Sequence, residues 1–269
     1  MVNPLVALLT DFGERGFFAA SLKAVIAGIN PAARTIDISH RVPAFDVRAA
    51  GVILDSCCRF FPRDTIFLSV VDPGVGTKRR ILLVRTGRYA FIAPDNGLLT
   101  LALEHERVVE IRTISSPRYF LTPERTTFEG RDRMAPAAAW LSLGVAPREF
   151  GPRLRKYAVA DVPRPSAGPS GIRGAVLYAD HFGNLITNIP GRMLDEFRGK
   201  AGAGGAALRI AGRAIRSFRT SYDSPERGEP FVLVNGQGLV EIAVREASAA
   251  DLLGAGPGCA VGISAENRT

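Results

Sequence analysis

Apolar residues in the first 150 positions come in short blocks whose internal spacing switches from one block to the next. Val6 to Thr10 is a continuous apolar run ending at a polar Thr-Asp-Phe-Gly turn, which predicts a buried strand. Phe17 to Ile29 has helical spacing and stops at Asn30-Pro31, a pair that ends helices. Thr35 to Ile38 predicts a second strand, and Val47 to Phe61 a second helix stopped by Pro62. Thr65 to Val71 is strongly β-prone, as expected of a strand covered on both faces. Ile81 to Val84 and Tyr89 to Ala93 predict further strands. Gly97 to Glu106 and Asp132 to Leu143 predict helices, the second closed by Gly144. Strands alternating with helices imply an N-terminal three-layer α/β domain with a mostly parallel sheet.

The pattern changes at Asp161 to Gly171, a Pro/Gly/Ser stretch with the composition of a linker. Beyond it the blocks are short and β-like: Gly174 to Ala179, Leu185 to Ile189, Leu208 to Ile210, Ala214 to Phe218, Phe231 to Val234 and Leu239 to Val244. Short strands separated by turn residues predict a small C-terminal β-barrel domain. Two domains are therefore expected, at 1–165 and 172–269. The Gly-Ala-rich segment Gly199 to Ala207 reads as a flexible loop.

Composition narrows the class. With 269 residues, 46% hydrophobic and 22% charged, the chain can bury a substantial core without staples. Its three cysteines, Cys57, Cys58 and Cys259, have no CxxC spacing and suit a reducing compartment. The N-terminus lacks a basic segment and a long apolar run, so no signal peptide is expected. No uninterrupted apolar run reaches membrane-spanning length. A cytoplasmic protein without membrane contact is the expectation. The net charge of +8 raises nucleic acid as a partner. Its basic residues are scattered, however, without interleaved aromatics or a helix-turn-helix pattern. A solvated basic surface is the better explanation, and nucleic acid is not expected.

Candidate chemistry sits where strands end, the usual ligand edge of open α/β sheets. Asp11 follows the first predicted strand, Asp72 the third, and Asp95-Asn96 the strand Tyr89 to Ala93. Each alone could be a turn-former, but three at one edge point to a site. The loop Asp72 to Arg80 lacks GxxxxGK with Ser or Thr, and GxGxxG occurs nowhere, so a triphosphate or dinucleotide site is not expected. His40, His105 and His181 lack metal-binding spacing, and no metal or other cofactor is expected. In Thr127 to Asp132, Asp132 could simply complement a helix dipole. The turn Asp180-His181-Phe182-Gly183-Asn184 combines an acid, an aromatic ring and an amide, a set suited to a purine base.

In order along nearly the whole chain stand LLTDFG, DISH, VDPGVGTKRR, APDNGLLT, TFEGRD with MAPAAA, DHFGNLITNI and NGQGLVEIAV. This ordered set resembles the S-adenosylmethionine hydrolase family (hydroxide adenosyltransferases), relatives of the fluorinase and chlorinase. The resemblance implies an α/β domain, a C-terminal β-barrel and a homotrimer with active sites between subunits. It implies that Asp11 holds the ribose diol and that Phe45 packs on the ribose. Phe182 and Asn184 would contact adenine, Tyr222 would supply a second stacking ring, and Asp180 would meet the methionine ammonium. Asp72 and Arg79 match two members of an Asp-Arg-His catalytic set. Where that family has the histidine, this chain has Glu129. Gly16 stands in place of a usual acid, and Gly236 in place of a serine that holds the substrate carboxylate.

The implied reaction is attack of water on C5′ of S-adenosylmethionine, giving adenosine and methionine. Methionine leaves as a neutral thioether, so alignment of the water and exclusion of bulk solvent matter more than acid catalysis. Asp72 would orient the water, Arg79 would fix that carboxylate, and Glu129 would be either a second acceptor or a surface acid. Three alternatives remain open: transfer to a halide, which two carboxylates would repel; a non-enzymatic S-adenosylmethionine or adenosine binder; and a hydrolase for a related adenosyl compound.

Overall fold

The computed structural model describes residues 4–124, 126–201, 205–223 and 227–265. The chain divides into two compact units, Met1–Asp161 and Val162–Thr269. The first contains β1 (Leu5–Thr10), α1 (Phe18–Ile29), β2 (Arg34–Ser39), α2 (Val47–Cys58), β3 (Ile66–Val70), β4 (Ile81–Thr86), β5 (Ala90–Pro94), α3 (Thr100–Glu104), β6 (Val108–Thr113) and α4 (Ala135–Ser142). The strands form one sheet in the order β2-β1-β3-β5-β4-β6. Strand β1 runs parallel to β2 and β3, and β3 parallel to β5, whereas β4 is antiparallel to both neighbours. The sheet is thus mostly parallel, as its apolar runs imply. The C-terminal ends of β1, β3 and β5 lie along one edge.

Strand alternation sends side chains to two faces. Val6, Leu8, Ile66, Leu68, Val70, Leu83 and Ile92 pack against Leu22 and Ile26 of α1 and the small residues of α4. On the other face lies α2, which packs on β1 and α3 and buries Ala49, Ala50, Val52 and Leu54. Helices on both faces make the expected three layers. Helix α2 stops at Cys58, short of Phe61. The amides of Phe60 and Phe61 turn back to Cys57 and Cys58, because a residue before proline avoids the helical region. The predicted helix from Asp132 begins instead as a π-helical turn, Gly130–Met134, and becomes α4 only at Ala135. Strand β6, not predicted, is an edge strand whose Val108 and Val109 stay exposed.

The second unit contains β7 (Ser166–Gly168), β8 (Gly171–Ala179), β9 (Leu185–Pro190), α5 (Gly191–Ala201), β10 (Ala206–Ile210), β11 (Arg213–Ile215), β12 (Pro230–Val234), β13 (Leu239–Val244), α6 (Ala249–Leu253) and β14 (Ala260–Ala265). The order is β11-β10-β14-β8-β9-β13-β12, antiparallel throughout, with β7 added to β8. After β11 the chain reaches β12, where Val232 N donates to Ser217 O and Arg219 N to Val232 O, both at 2.8 Å. These bonds nearly close the sheet into a barrel around Val176, Leu185, Leu208, Val232, Val240, Ile242 and Ile263.

Several local expectations change here. Ser166–Gly168, in the stretch with linker composition, pairs as a strand. Of the expected loop at Gly199 to Ala207, Gly199–Ala201 completes α5 and Ala206 and Ala207 begin β10. Residues 202–204 lie outside the described residues. The block Ala214 to Phe218 splits, with Phe218 bridging β12 instead of continuing β11. Helices α5 and α6 and strand β14 were not predicted. Among the described residues no helix is long and apolar enough to cross a membrane.

Candidate functional site

Asp11 leaves the end of β1 and turns toward the segment before α2. Its Oδ2 accepts a hydrogen bond from the Phe45 amide at 2.9 Å. Phe45 has a φ of 65°, which is rare for an aromatic residue, and its ring is 70% exposed. The next residue, Asp46, caps α2 by accepting from Ala49 N at 2.9 Å. The turn carrying Asp11 is itself pinned: Phe12 N donates to Thr10 Oγ1 at 3.3 Å and Gly13 N to His40 O at 2.7 Å. His40 Nδ1 is 2.8 Å from Thr10 Oγ1, and its Nε2 is 3.1 Å from Asp37 Oδ1. A strained aromatic residue and a strand-end carboxylate are therefore held together from several directions.

Asp72 follows β3 in a tight turn, and Arg79 folds back on it from the far end of the same loop. Arg79 Nε donates to Asp72 Oδ1 at 2.8 Å, and the second guanidinium nitrogen donates to Asp72 Oδ2. That same nitrogen donates to Glu129 Oε2 at 2.5 Å. Gly130 lets this glutamate arrive there: a Cβ on it would meet Val70 of β3 at 3.1 Å, with Phe128 and Phe12 just beyond. The side chains of Asp72, Arg79 and Glu129 are all at least nine-tenths buried. Glu129 is thus not a surface acid. Its other oxygen faces Arg133 Nη1 at 3.6 Å, and the Arg133 guanidinium lies 4.6 Å from the centre of the Phe120 ring. Two carboxylates and two guanidiniums balance in charge, as burial demands.

In the second unit, Asp180, Phe182, Asn184 and Tyr222 line one cavity of about 710 Å³ together with Val244 to Ser248. Asp180 Oδ1 accepts from the amides of Phe182 and Asn184, both at 2.9 Å, and Oδ2 accepts from Asn184 Nδ2 at 3.0 Å. The acid therefore does shape its turn. Gly183 is required in this turn, because its φ is +82° and a Cβ would lie 2.2 Å from Ser248 Oγ. Phe182 stands 74% exposed beside the cavity, while Asn184 is buried. Tyr222 presents its ring to the cavity and donates its phenol proton to Glu241 Oε1 at 2.9 Å.

Not every strand-end residue faces a site. Asp95 accepts from Arg80 Nε and Ala158 N, both at 2.7 Å, and Asn96 Nδ2 donates to Val71 O at 2.9 Å. Both tie loops together. Asp132 is buried between Arg131, which contacts both its oxygens, and Thr126 Oγ1. Arg133 and Glu241 are the polar residues that sequence reasoning missed. An i, i+4 spacing from Glu129 was the available signal for Arg133. Among the described residues no group of three or more His, Cys, Asp or Glu is arranged to hold a metal ion.

Comparison with known proteins finds matches for both halves of the chain. Residues 6–151 match the SAM hydroxide adenosyltransferase N-terminal domain, and residues 174–262 match its C-terminal domain. An (R)-S-adenosyl-L-methionine hydrolase of Thermus thermophilus is 37% identical over 93% of this chain and 95% of its own length. A protein of the same name from Salinispora arenicola is 35% identical over 98% of each. The crystal structure of an uncharacterized conserved protein from Thermotoga maritima superposes with a TM-score of 0.89 at 35% identity, covering 96% of this chain and 99% of that one. With both domains matched and such similarity along nearly its whole length, the chain belongs to the SAM hydroxide adenosyltransferase family.

Proposed function

We propose that the protein hydrolyses S-adenosylmethionine to adenosine and methionine. The observation that carries this is the buried Asp72–Arg79–Glu129 array, in which one guanidinium fixes two carboxylates at the end of β3. Such an array offers preorganised acceptors for a single water. The water oxygen bonds to C5′ while the C5′–S bond breaks and its electron pair returns to sulfur. The attacking oxygen then loses a proton to solvent. Asp72 and Glu129 orient the water by accepting its hydrogens, and Arg79 keeps the two acceptors in place.

Binding is assigned to the remaining residues. Asp11 grips the ribose diol, with Phe45 against the sugar. Phe182, Asn184 and Tyr222 hold adenine, and Asp180 faces the methionine ammonium. The cavity around Asp180 supports this, because it pairs an apolar wall with a carboxylate and, at about 710 Å³, has the volume of a typical small-molecule site. Halide transfer is disfavoured, since Asp72 and Glu129 already take up the positive charge of Arg79 and Arg133 and leave no net positive charge in the array to offset the desolvation of an anion. The enzyme is read as a cytoplasmic homotrimer with active sites between subunits.

The hydrolase relatives are named for the (R) form of the substrate, so both sulfonium epimers belong in the test. Each is incubated with the protein and excess chelator, and products are separated by chromatography. Adenosine and methionine in equal amounts are expected, faster from the (R) epimer. Unchanged substrate at high protein concentration, with binding still seen by calorimetry, would make the protein a binder. The engagement of both Glu129 oxygens by arginines is the feature that favours that second reading.

A further inference from the structure

Strand β13 alternates in an unexpected way. Val240, Ile242 and Val244 point into the barrel, which sends Glu241 to the opposite face, where a glutamate would ordinarily meet water. Instead Glu241 is 2% exposed. Its Oε1 accepts from the Tyr222 phenol at 2.9 Å, and its Oε2 accepts from Asn235 Nδ2 at 3.1 Å. Asn235 is held in turn, because its Oδ1 accepts from Gln237 N at 3.0 Å and Leu239 N at 3.2 Å. Its amide therefore has only one orientation, with nitrogen toward the glutamate. A buried carboxylate is expensive to desolvate and persists where its bonds matter. The group it secures at the cavity is the Tyr222 ring, which is itself half exposed and lies outside any helix or strand.

We propose that Glu241 is a positioning residue that fixes the Tyr222 ring as one wall of the cavity and so prepays the ordering of that ring before a ligand binds. The proposal rests on the reading of Tyr222 as a ring that contacts adenine. A side chain free to swing contributes stacking only in the fraction of molecules that hold the productive pose, and apparent affinity falls by that fraction. The electrostatic surroundings agree with the geometry. Burial raises the Glu241 carboxyl above its ordinary value, Asp180 adds to the rise, and the bonds from Tyr222 and Asn235 partly offset it. The Tyr222 phenol is pushed up to about 12, by burial first, then by its bond and proximity to Glu241, with Asp180 and Tyr178 adding smaller effects.

The test uses the full chain and adenosine as the probe in calorimetry. Four variants suffice: Tyr222→Ala, Tyr222→Phe, Glu241→Gln and the double variant Tyr222→Phe with Glu241→Gln. The Glu241→Gln change preserves shape and the bond from Asn235, so folding, followed by circular dichroism, is expected to survive. Tyr222→Phe removes the bond and should weaken adenosine binding about tenfold if the freed ring holds its pose a tenth of the time. Glu241→Gln, whose amide nitrogen can still donate to the phenol oxygen, should weaken it less. The double variant should be no weaker than Tyr222→Phe alone, because without the phenol the change at Glu241 has no bond to alter. The phenol titration, read by ultraviolet difference against Tyr222→Phe, should fall from about 12 toward the ordinary tyrosine value in Glu241→Gln. Adenosine affinity that is lost in Tyr222→Ala but kept in Tyr222→Phe and Glu241→Gln overturns the positioning role alone. Affinity unchanged in Tyr222→Ala overturns the stacking role and the proposal with it. Fully additive losses in the double variant overturn it as well, by showing that the two residues act separately.

Discussion

Glu129 shows how much one residue's surroundings decide. Sequence alone leaves it either a surface acid or an acceptor standing where relatives have histidine. In the structure its carboxylate is buried, with Arg79 on one oxygen and Arg133 near the other. A histidine there would need no second cation, whereas a second carboxylate beside Asp72 does, and Arg133 supplies it. Glu129→Gln keeps the shape and one acceptor oxygen but removes the charge that strengthens a hydrogen bond from water. Single-turnover hydrolysis is expected to slow by about 10²–10³ with substrate affinity nearly intact, the usual loss for one preorganised hydrogen-bonding group. An unchanged single-turnover rate would make Glu129 only a counter-ion, leaving Asp72 and Arg79 to orient the water. The Asp72–Arg79 pair was legible only through the family resemblance, as two members of its Asp-Arg-His set, because residues in a glycine-rich loop otherwise read as turn-formers. Arg133 and Glu241 were not, since a charged residue on a helix or strand reads as solvent-facing until the neighbouring layers are known.

At the scale of elements, legibility followed burial. Strands β1, β3 and β5 are central, covered on both faces and continuously apolar, and the sequence marks them clearly. Edge strand β6 and strand β14 carry exposed or glycine-interrupted patterns that resemble loops. Helix α5 has apolar Met193, Leu194 and Phe197 on one side, a helical pattern obscured by the Gly-Ala segment that follows. Helix α6 carried a readable start, because Ser248 Oγ accepts from Asp251 N at 3.1 Å. Helix α2 offers the sharpest test of element packing. Gly51 lies in its interior, where alanine would ordinarily stabilise by about 1 kcal/mol. Here an added Cβ would sit 2.9 Å from the Leu98 carbonyl oxygen, a backbone atom beside the strand-end loop. Gly51→Ala is therefore expected to destabilise, by about 1–3 kcal/mol as for other overpacked sites. Urea unfolding measures it, and a stabilised variant would mean that α2 can shift away from the loop at no cost.

At the scale of the molecule, the aromatic residues assigned to the ligand are badly placed for an isolated chain. Phe45 is 70% exposed and Phe182 74%, while Phe17, just before α1, is 60% exposed. Singly exposed rings are common at protein surfaces, and these matter only because Phe45 and Phe182 are assigned to the ligand. Hydrolysis at a sulfonium also requires that bulk water be kept out, which rings facing solvent do not achieve. A neighbouring copy of the chain would provide the cover, as the proposed homotrimer requires. Light scattering is expected to give three times the 28.8 kDa chain mass. Because the contact would be largely apolar, the assembly should persist at high salt, where the +8 charge of each chain is screened and repulsion weakens. Dilution below the assembly's dissociation constant should lower specific activity in step with the loss of trimer. A single-chain mass with undiminished specific activity would show that each chain closes its own site, and the exposed rings would then need a different explanation.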